Sequence, residues 1–364
     1  AAAGRPFFPM PTGSTEALPA LDELPVTAST AEALFRELEA KLSGSRPPEH
    51  LAVLSKAYSF AAAAHAGQWR ESGEPYIIHP LHTARVLADL NMDLVSLQTG
   101  LLHDVVEDTG VTLDELRRLF GDEVARCVDG VTKLGKLKFY SREERQAESV
   151  RKMLLAMVDD VRVVIVKLAD RLHNIRTLAH LKDPERRRRV AQETLEIYAP
   201  IAHRLGMGRI RGELEDLAFL HLEPEAHAEI VRAIDSRRQA TADFLSQIQL
   251  TIGEVLGREG ISARVEGRIK RAYSVHQKML RQRIPIEQVY DLLAVRIITD
   301  SVRDCYAALG VIHHEWHPIP GRFKDFIAIP RPNLYQSLHT SVVGPGGQSF
   351  EVQIRTEEMH HVAE

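Results

Sequence analysis

Residues 161–178, VRVVIVKLADRLHNIRTL, decide the fold of the first half of the chain. Apolar side chains recur in this segment every three to four residues, which is the spacing of a helix that buries one face. The same spacing continues from Ala31 to about Leu222, so this half is predicted to be all-α. Asp170 falls among the apolar positions, where an unpaired ionised carboxylate would be costly, and it therefore needs a partner or a cation.

The pattern changes after a long helix that ends near Leu256. Four β-rich runs follow, separated by Pro and Gly turns, and we predict them as strands: ISARVEG, LLAVRIITD, SLHTSVVG and QSFEVQIRT. Helical segments lie between these runs, so the second half is predicted to be α+β. A chain of 364 residues also exceeds the size of a single core. We divide it into a loose tail at 1–30, an all-α domain at 31–183, connecting helices at 184–222 and an α+β domain at 223–364.

Composition and charge exclude several classes of protein. The chain has 46 basic and 50 acidic residues, and a net charge of −4 argues against broad binding of polyanions. Cys127 and Cys305 are far apart, so the sequence predicts neither a disulfide framework nor a thiolate zinc site. No apolar run approaches the ~20 residues that span a bilayer. We expect a cytoplasmic protein with no membrane partner.

A mixed set of imidazoles and carboxylates in the first half suggests a metal site. Two imidazoles with two carboxylates suit Mn, Fe or Zn better than Mg or Ca, which prefer oxygen ligands. The alternative is that the upstream histidine only caps a helix and that Asp170 pairs with Arg171 or Arg176. The candidate ligands are His79, His103, Asp104 and Asp170.

Glu107 and Asp108 follow the central His-Asp pair by one turn of a predicted helix. Like charges at this spacing repel one another unless a cation is present. A metal-activated water would need a group to handle its proton, and either acid could do so. Arg70 and Asn174 are polar groups suited to a phosphate. The chemistry that this set predicts is hydrolysis of a phosphoester.

The second half carries a basic run, GRIKRAYSVHQKM, directly after its first predicted strand. Such a run is usually a solvated helix face, and this alternative stays open. Asp291 lies at the entry to the next strand, and alternation places Glu351, Gln353 and Arg355 on the polar face of another. Two carboxylates beside several cations provide the parts for phosphoryl-type transfer, without a P-loop or a kinase motif.

Three segments of the first half resemble the HD-type hydrolase domain of the long bifunctional (p)ppGpp synthetase/hydrolases, the Rel/Spo stringent-response family: HAGQWRESGEPYIIHPLHTARVLADL, GLLHDVVEDT and VKLADRLHNIRTL. The resemblance implies removal of the 3′-pyrophosphate of the alarmone (p)ppGpp. It implies Mn(II) at His79, His103, Asp104 and Asp170, water activation by Glu107 and Asp108, and nucleotide contacts by Arg70, Asn174 and Thr177. Glu71 departs from the lysine that is usual in the family.

Four segments of the second half resemble the nucleotidyltransferase-like synthetase domain of the same family: GRIKRAYSVHQKM, VYDLLAVRIITD, PIPGRFKDFIAIPRPNLYQSLHTSV and EVQIRT. The resemblance implies a domain built on a mixed sheet. It also implies transfer of the β,γ-pyrophosphate of ATP to the 3′-hydroxyl of GDP or GTP. It implies Mg(II) at Asp291 and Glu351, with Glu351 also activating the hydroxyl, and stacking of Tyr335 on the guanine. The implied ATP contacts are Arg268, Lys270, Ser274, Lys278 and Arg296, and the other implied acceptor contacts are Lys324, Arg331, Asn333, His339 and Gln353. Leu334 replaces the usual glycine, and its Cβ is expected to prevent a positive φ and to shift the loop that carries Tyr335.

These patterns together favour a bifunctional alarmone enzyme. One alternative is a hydrolase whose second domain senses nucleotide without catalysis, and another, of a different class, is an RNA- or ribosome-binding module. The resemblance implies a ribosome partner for full-length family members, through further C-terminal domains. We also expect the two sites to be antagonistically coupled through the connecting helices, because simultaneous activity would only consume ATP.

Overall fold

The computed structural model of the chain describes residues 28–135, 159–236, 238–286, 289 and 293–363. Residues 1–27 of the predicted tail and the candidate metal ligand Asp291 lie outside these ranges. The first helices along the chain are α1 (Ala28–Ser43), α2 (Pro48–Ala64), α3 (Ile78–Asp89), α4 (Leu94–Leu102), α5 (Val105–Asp108), α6 (Leu113–Phe120), α7 (Asp122–Gly135) and α8 (Val161–Arg176). The helices that follow are α9 (Pro184–Glu193), α10 (Ala199–Arg204), α11 (Gly208–Leu222), α12 (Pro224–Ser236), α13 (Arg238–Arg258), α14 (Ala272–Gln282), α15 (Val302–Glu315) and α16 (Glu357–Ala363).

The helical first half confirms the prediction from apolar spacing. Several of its helices begin at a side-chain cap, as at Asp93 before α4, Asp160 before α8 and Asp183 before α9, where a carboxylate accepts from an amide of the first turn. One continuous apolar core runs from α1 to α11, and it includes the buried faces of α3, α4 and α8. His79 lies in α3, Asp170 lies in α8, and His103 directly follows α4, so the core fixes the positions of three candidate metal ligands.

The second half contains a five-stranded sheet within the described residues, in the order β1-β2-β5-β4-β3. The strands are β1 (Ala263–Ile269), β2 (Leu293–Thr299), β3 (Lys324–Asp325), β4 (Leu338–Val343) and β5 (Ser349–Thr356). β2 and β5 are parallel, whereas the other pairings are antiparallel, so the predicted mixed sheet is confirmed. Helices α13 and α15 pack on this sheet and bury its apolar face.

Strand β5 shows the predicted alternation of faces. Val352 and Ile354 are fully buried, whereas Glu351 and Gln353 are half-buried on the opposite side. Arg355 continues that polar side but is only 1% exposed, and one of its terminal nitrogens contacts Nδ1 of His360 in α16. The polar face of this strand is therefore a covered wall rather than a solvated surface.

A third apolar cluster joins the two halves. It contains Phe219 of α11, Ile230 of α12, Val275 of α14 and two residues that follow α14. The connecting helices also contribute Ala191 and Leu214 to the core of the helical half. The division at 31–183, 184–222 and 223–364 remains a prediction. Within the described ranges, no helix combines the length and the apolarity that crossing a bilayer requires.

Candidate active sites

The candidate metal ligands of the first half converge from three parts of the fold. His79 lies in the first turn of α3, His103 and Asp104 lie between α4 and α5, and Asp170 lies in the middle of α8. One ligand atom from each of His79, His103 and Asp170 lies within 4.8 Å of the others. The structure therefore brings together residues that are separated by up to 91 positions in the sequence.

The helix predicted to run through His103 and Asp108 is interrupted. His103 ends α4 and Asp104 begins α5, a single turn in which the amide of Asp108 donates to the carbonyl oxygen of Asp104 at 2.9 Å. Asp104 and Asp108 are thus one turn apart, as predicted, but His103 belongs to a different helix. The break turns both members of the His-Asp pair toward the cluster.

Hydrogen bonding of the histidines indicates that the cluster fits a cation. Nδ1 of His103 lies 2.9 Å from the Gly100 carbonyl oxygen and can only donate to it, which leaves Nε2 facing Oδ2 of Asp104 at 3.2 Å. This Nε2 is buried and forms no hydrogen bond within the described residues. Although burial lowers the pKa of His103, the Asp104 carboxylate outweighs it and raises the pKa to about 9. A proton or a metal ion is therefore strongly favoured between these groups.

The alternative explanation for Asp170 is not supported. Its carboxylate lies 2.7 Å from Nζ of Lys167 and accepts from the Asn174 amide at 2.5 Å. Arg171 and Arg176 pair instead with glutamates of other helices. Burial raises the pKa of Asp170, but the Lys167 ammonium and the histidines outweigh burial and hold it well below its usual range. Asp170 is therefore an ionised carboxylate inside an apolar helix face.

The predicted nucleotide contacts form one hydrogen-bonded group beside the cluster. Arg70, in the loop before α3, donates from Nη2 to Asn174 at 2.9 Å and to Thr177 at 3.4 Å. These residues line a cavity of about 460 Å³ that also reaches Asp170. Glu71 lies on the same cavity wall and pairs with Arg186 of α9 at 3.1 Å. Glu71, where the family usually has lysine, is therefore paired with a cation that lines the same cavity.

Tyr76 is a site residue that the sequence reasoning missed. Its hydroxyl lies 3.0 Å from Oδ2 of Asp104 and 2.5 Å from Oδ2 of Asp108, so it bridges a candidate ligand and a candidate proton acceptor. Burial, followed by the two carboxylates, raises the pKa of Tyr76, which keeps its proton available for donation. Glu107 lies next to Asp108 in the short helix α5, and its side chain is exposed. The available signal in the sequence was that this tyrosine lies three positions before His79.

His173 is the second residue that was missed, and it lies behind His79. Nδ1 of His173 is 2.8 Å from Nδ1 of His79 and 2.9 Å from Nη1 of Arg70. A guanidinium can only donate, so the Arg70 contact favours His173 with an unprotonated Nδ1. His79 then donates its Nδ1 proton to His173 and keeps the lone pair of Nε2 for the cluster. Burial lowers the pKa of His173 well below its usual value, which is consistent with a neutral acceptor.

Glu351 is the centre of the candidate site in the second half. Lys270 lies 2.8 Å from one of its carboxylate oxygens, and the other accepts from Gln353 at 3.0 Å and lies 3.2 Å from Nδ1 of His339. Burial raises the pKa of Glu351, but His339 and Lys270 outweigh burial and lower it. The hydroxyl of Tyr335 lies 2.8 Å from Nε2 of the same histidine. Glu351 is therefore ionised and linked to the predicted guanine-stacking residue.

Two adjoining cavities flank this carboxylate. The larger, of about 560 Å³, is lined by Arg268, Ser274, Arg296, Arg331, Asn333, Tyr335, His339 and Gln353. The smaller, of about 400 Å³, is lined by Arg268, Lys270, Ser274, Lys278, Lys324 and Gln353. Most predicted ATP contacts line the smaller cavity, and most acceptor contacts line the larger one. Two residues do not follow this division. Arg296, a predicted ATP contact, lines the larger cavity, and Lys324, a predicted acceptor contact, lines the smaller one.

The loop before Tyr335 corrects one expectation. Leu334 adopts a φ of +63°, so its Cβ does not prevent the left-handed conformation that glycine would favour. The clash between Cβ and the residue's own backbone costs about 1–2 kcal/mol. The Leu334 amide donates to the Arg331 carbonyl oxygen at 2.8 Å, a turn hydrogen bond that offsets part of this cost. Asn333 donates to the carbonyl oxygen of His203 in α10 at 3.0 Å, which ties the loop to the helical half.

Comparison with known proteins gives the class of each half. A family model described as the HD domain matches residues 57–208, and one described as a region found in RelA/SpoT proteins matches residues 267–364. The predicted HD-type domain and Rel/Spo synthetase region are both confirmed. An HD domain implies a divalent metal, and the His/Asp cluster fits one.

Curated relatives align with most of the chain. The GTP pyrophosphokinase of Streptomyces coelicolor is 53% identical over 86% of this chain and 37% of its own length. The probable guanosine-3′,5′-bis(diphosphate) 3′-pyrophosphohydrolase of Synechocystis is 48% identical over 90% of this chain and 43% of its own. The bifunctional (p)ppGpp synthase/hydrolase SpoT of Escherichia coli K12 is 46% identical over 91% of this chain and 47% of its own length. The chain spans less than half of the length of each of these relatives, and it combines an HD domain with a region found in RelA/SpoT proteins.

Proposed function

We propose that the chain is a bifunctional guanosine polyphosphate enzyme. Its helical half hydrolyses (p)ppGpp to GDP or GTP and pyrophosphate. Its sheet half transfers the β,γ-pyrophosphoryl group of ATP to the 3′-hydroxyl of GDP or GTP, which loses its proton, and AMP leaves. The observation that carries the proposal is that two separate sets of charged residues, centred on Asp170 and on Glu351, each adjoin a cavity lined by cations. The names of the relatives, which include both activities, support the same assignment.

The proposed hydrolase site holds Mn(II) at His79, His103, Asp104 and Asp170, because mixed nitrogen and oxygen donors suit this ion. When bound, the metal would supply a nucleophilic water at neutral pH. Asp108 accepts the proton of the attacking water, with Glu107 as a nearby second acid. Tyr76 holds Asp108 toward the cluster. The Arg70, Asn174 and Thr177 group binds the guanosine polyphosphate through its phosphates.

The proposed synthetase site uses the ionised Glu351 to orient the acceptor hydroxyl and, with Asp291, to hold Mg(II). Lys270 forms an ion pair with Glu351 and lies at the wall of the smaller cavity, where ATP phosphates would compete with the Glu351 carboxylate for its ammonium group. If Nδ1 of His339 carries its proton, the imidazole donates to Glu351 and accepts from Tyr335. That chain of contacts connects guanine binding to the carboxylate beside the reacting hydroxyl.

Two assays on the unmodified chain test the proposal. With Mn(II), labelled (p)ppGpp should yield GDP or GTP and pyrophosphate. With Mg(II), ATP labelled at its γ-phosphate plus GDP or GTP should yield labelled (p)ppGpp and AMP. Hydrolysis without synthesis, despite ATP binding, would favour the nucleotide-sensing alternative for the second half. Absence of both activities together with tight, salt-dependent RNA binding in a filter assay would instead support an RNA-binding module.

His173→Leu is expected to weaken Mn(II) binding about 10- to 100-fold, because His79 would lose the acceptor that holds its Nδ1 proton. Titration calorimetry of the metal-free chain with Mn(II) measures this directly, without turnover. His173→Asn is the matched control, since its side-chain oxygen can accept at the position of Nδ1. Equal affinity in the unmodified chain and the leucine variant would contradict the role of His173.

Two further parts of the proposal depend on the family resemblance. We propose a cytoplasmic location for the protein, in keeping with guanosine nucleotides and ATP as its substrates. We also propose the ribosome as a partner of the full-length protein. Fractionation of cells, followed by sedimentation with and without ribosomes, tests both.

A further inference from the structure

Helix α11 contacts the start of α14, the helix that carries two predicted ATP contacts. Asp216, in the middle of α11, accepts from the backbone amide of Tyr273 at 3.0 Å through Oδ1. Its other oxygen lies 3.3 Å from Nη1 of Arg271. A single carboxylate of the connecting segment therefore contacts both the backbone and a side chain at the first turn of α14.

The first turn of α14 depends on an acceptor from elsewhere. The residue at its cap position is Arg271, in extended conformation, and its side chain forms no capping hydrogen bond. Amides in the first turn of a helix have no partner within the helix and are normally satisfied by a cap residue. Asp216 supplies that acceptor from a different helix, and its negative charge also complements the positive end of the helix dipole.

The packing around Asp216 leaves little freedom for the two helices. Gly212 is one turn before Asp216, and a Cβ at this position would lie 2.6 Å from Nε of Arg271. The glycine therefore allows the arginine side chain to lie flat against α11. Behind it, Phe219 and Val275 belong to the apolar cluster that joins α11 and α14.

We propose that Asp216 is a positioning residue for pyrophosphoryl transfer, which caps the first turn of α14 from the neighbouring helix in place of the side chain of Arg271. Ser274 lies in the capped turn and Lys278 lies one turn later, and both line the smaller cavity beside Glu351. Fixing the start of α14 therefore fixes the distance from these two side chains to the carboxylate. This inference depends on the proposed synthetase function for its chemical meaning, but the cap itself is read from the contacts alone.

The test compares Asp216→Ala with Asp216→Asn in the full chain. Asparagine caps helices about as well as aspartate, whereas alanine does not. We expect the alanine variant to raise KM for ATP and Kd for a non-hydrolysable ATP analogue about tenfold, as loss of one cap would. KM for GDP and the rate of (p)ppGpp hydrolysis should stay within about twofold, and asparagine should restore most of the ATP affinity.

Two more variants keep the result interpretable. Asp235→Ala removes an exposed acid of α12 and should change nothing. Gly212→Ala displaces the Arg271 side chain but leaves the Asp216 carboxylate in place, so it separates the cap from the ion pair. Arg271 also lines the smaller cavity. If Gly212→Ala weakens ATP binding as much as Asp216→Ala does, the position of the Arg271 side chain is responsible and the cap is not.

The outcomes distinguish the cap from the proposed function. Unchanged ATP affinity in Asp216→Ala, or equal losses in the alanine and asparagine variants, would overturn the role as a cap. Loss of hydrolysis in parallel would mean that Asp216 supports the fold and would also overturn it. If the unmodified chain binds the ATP analogue but makes no product, the synthetase function fails while the affinities still decide the cap. An unmodified chain that binds no analogue would overturn both.

Discussion

Asp104→Ala is expected to reduce (p)ppGpp hydrolysis at least about 100-fold and to leave synthesis near its normal rate. Asp104 is the carboxylate closest to the buried Nε2 of His103 among the described residues, and its Oδ2 lies 3.0 Å from the Tyr76 hydroxyl. Its removal takes away a proposed metal ligand and the anchor that keeps Tyr76 near Asp108. The measurement is the rate of pyrophosphate release, together with Mn(II) affinity by calorimetry.

Metal removal gives the same prediction without a substitution. Chelation should abolish hydrolysis, and Mn(II) should restore it far better than Ca(II), which prefers an all-oxygen shell. Asp114→Ala, which removes an exposed acid of α6, is the matched control and should behave like the unmodified chain. Full hydrolysis by the metal-free chain or by the Asp104 variant would refute the assignment of the metal centre.

Glu351→Gln is expected to lower kcat for synthesis about 100-fold or more while hydrolysis stays unchanged, the scale typical of losing a proton-handling group. Glutamine preserves the shape and the contact with Gln353 but removes the charge that faces Lys270 and His339. Affinity for an ATP analogue should be retained, because the freed Lys270 remains available for phosphate. Steady-state synthesis and analogue binding together measure this separation of kcat from binding.

The control for this variant is Glu358→Gln, an exposed acid in α16 that should leave both reactions intact. A Glu351→Gln chain that loses synthesis and hydrolysis together would show that the residue is needed for the fold. Normal synthesis in that chain would remove Glu351 from the proposed chemistry altogether.

Periodicity predicted most of the elements because one face of each is buried. Apolar spacing located α8, and the two-residue alternation placed Val352 and Ile354 inward and Glu351 outward on β5. Pro224 begins α12, in keeping with the general preference for proline at the first position of a helix. The two-residue strand β3 was not predicted, since so short a segment has no detectable period.

The contacts within the sites were only partly predictable. The separate residues could be singled out by residue type, but no pattern relates His79 to His173 across 94 positions or Glu351 to Lys270 across 81. A local rule also failed at Leu334, whose left-handed backbone is accompanied by a hydrogen bond from its amide to the Arg331 carbonyl oxygen. Such details are set by tertiary packing, which a single sequence does not display.

Helix α11 also limits how far the two halves can be treated as interchangeable modules. Arg176, at the end of α8, pairs with Glu213 at 2.6 Å, and Asp216 lies three residues further along α11 against the start of α14. With a rise of about 1.5 Å per residue, the two anchor points are only about 4.5 Å apart along the helix axis. A fragment cut after Leu222 would leave the sheet half with the uncapped end of α14. A chimaera that exchanges either half must therefore carry α11 together with the partner surfaces of both.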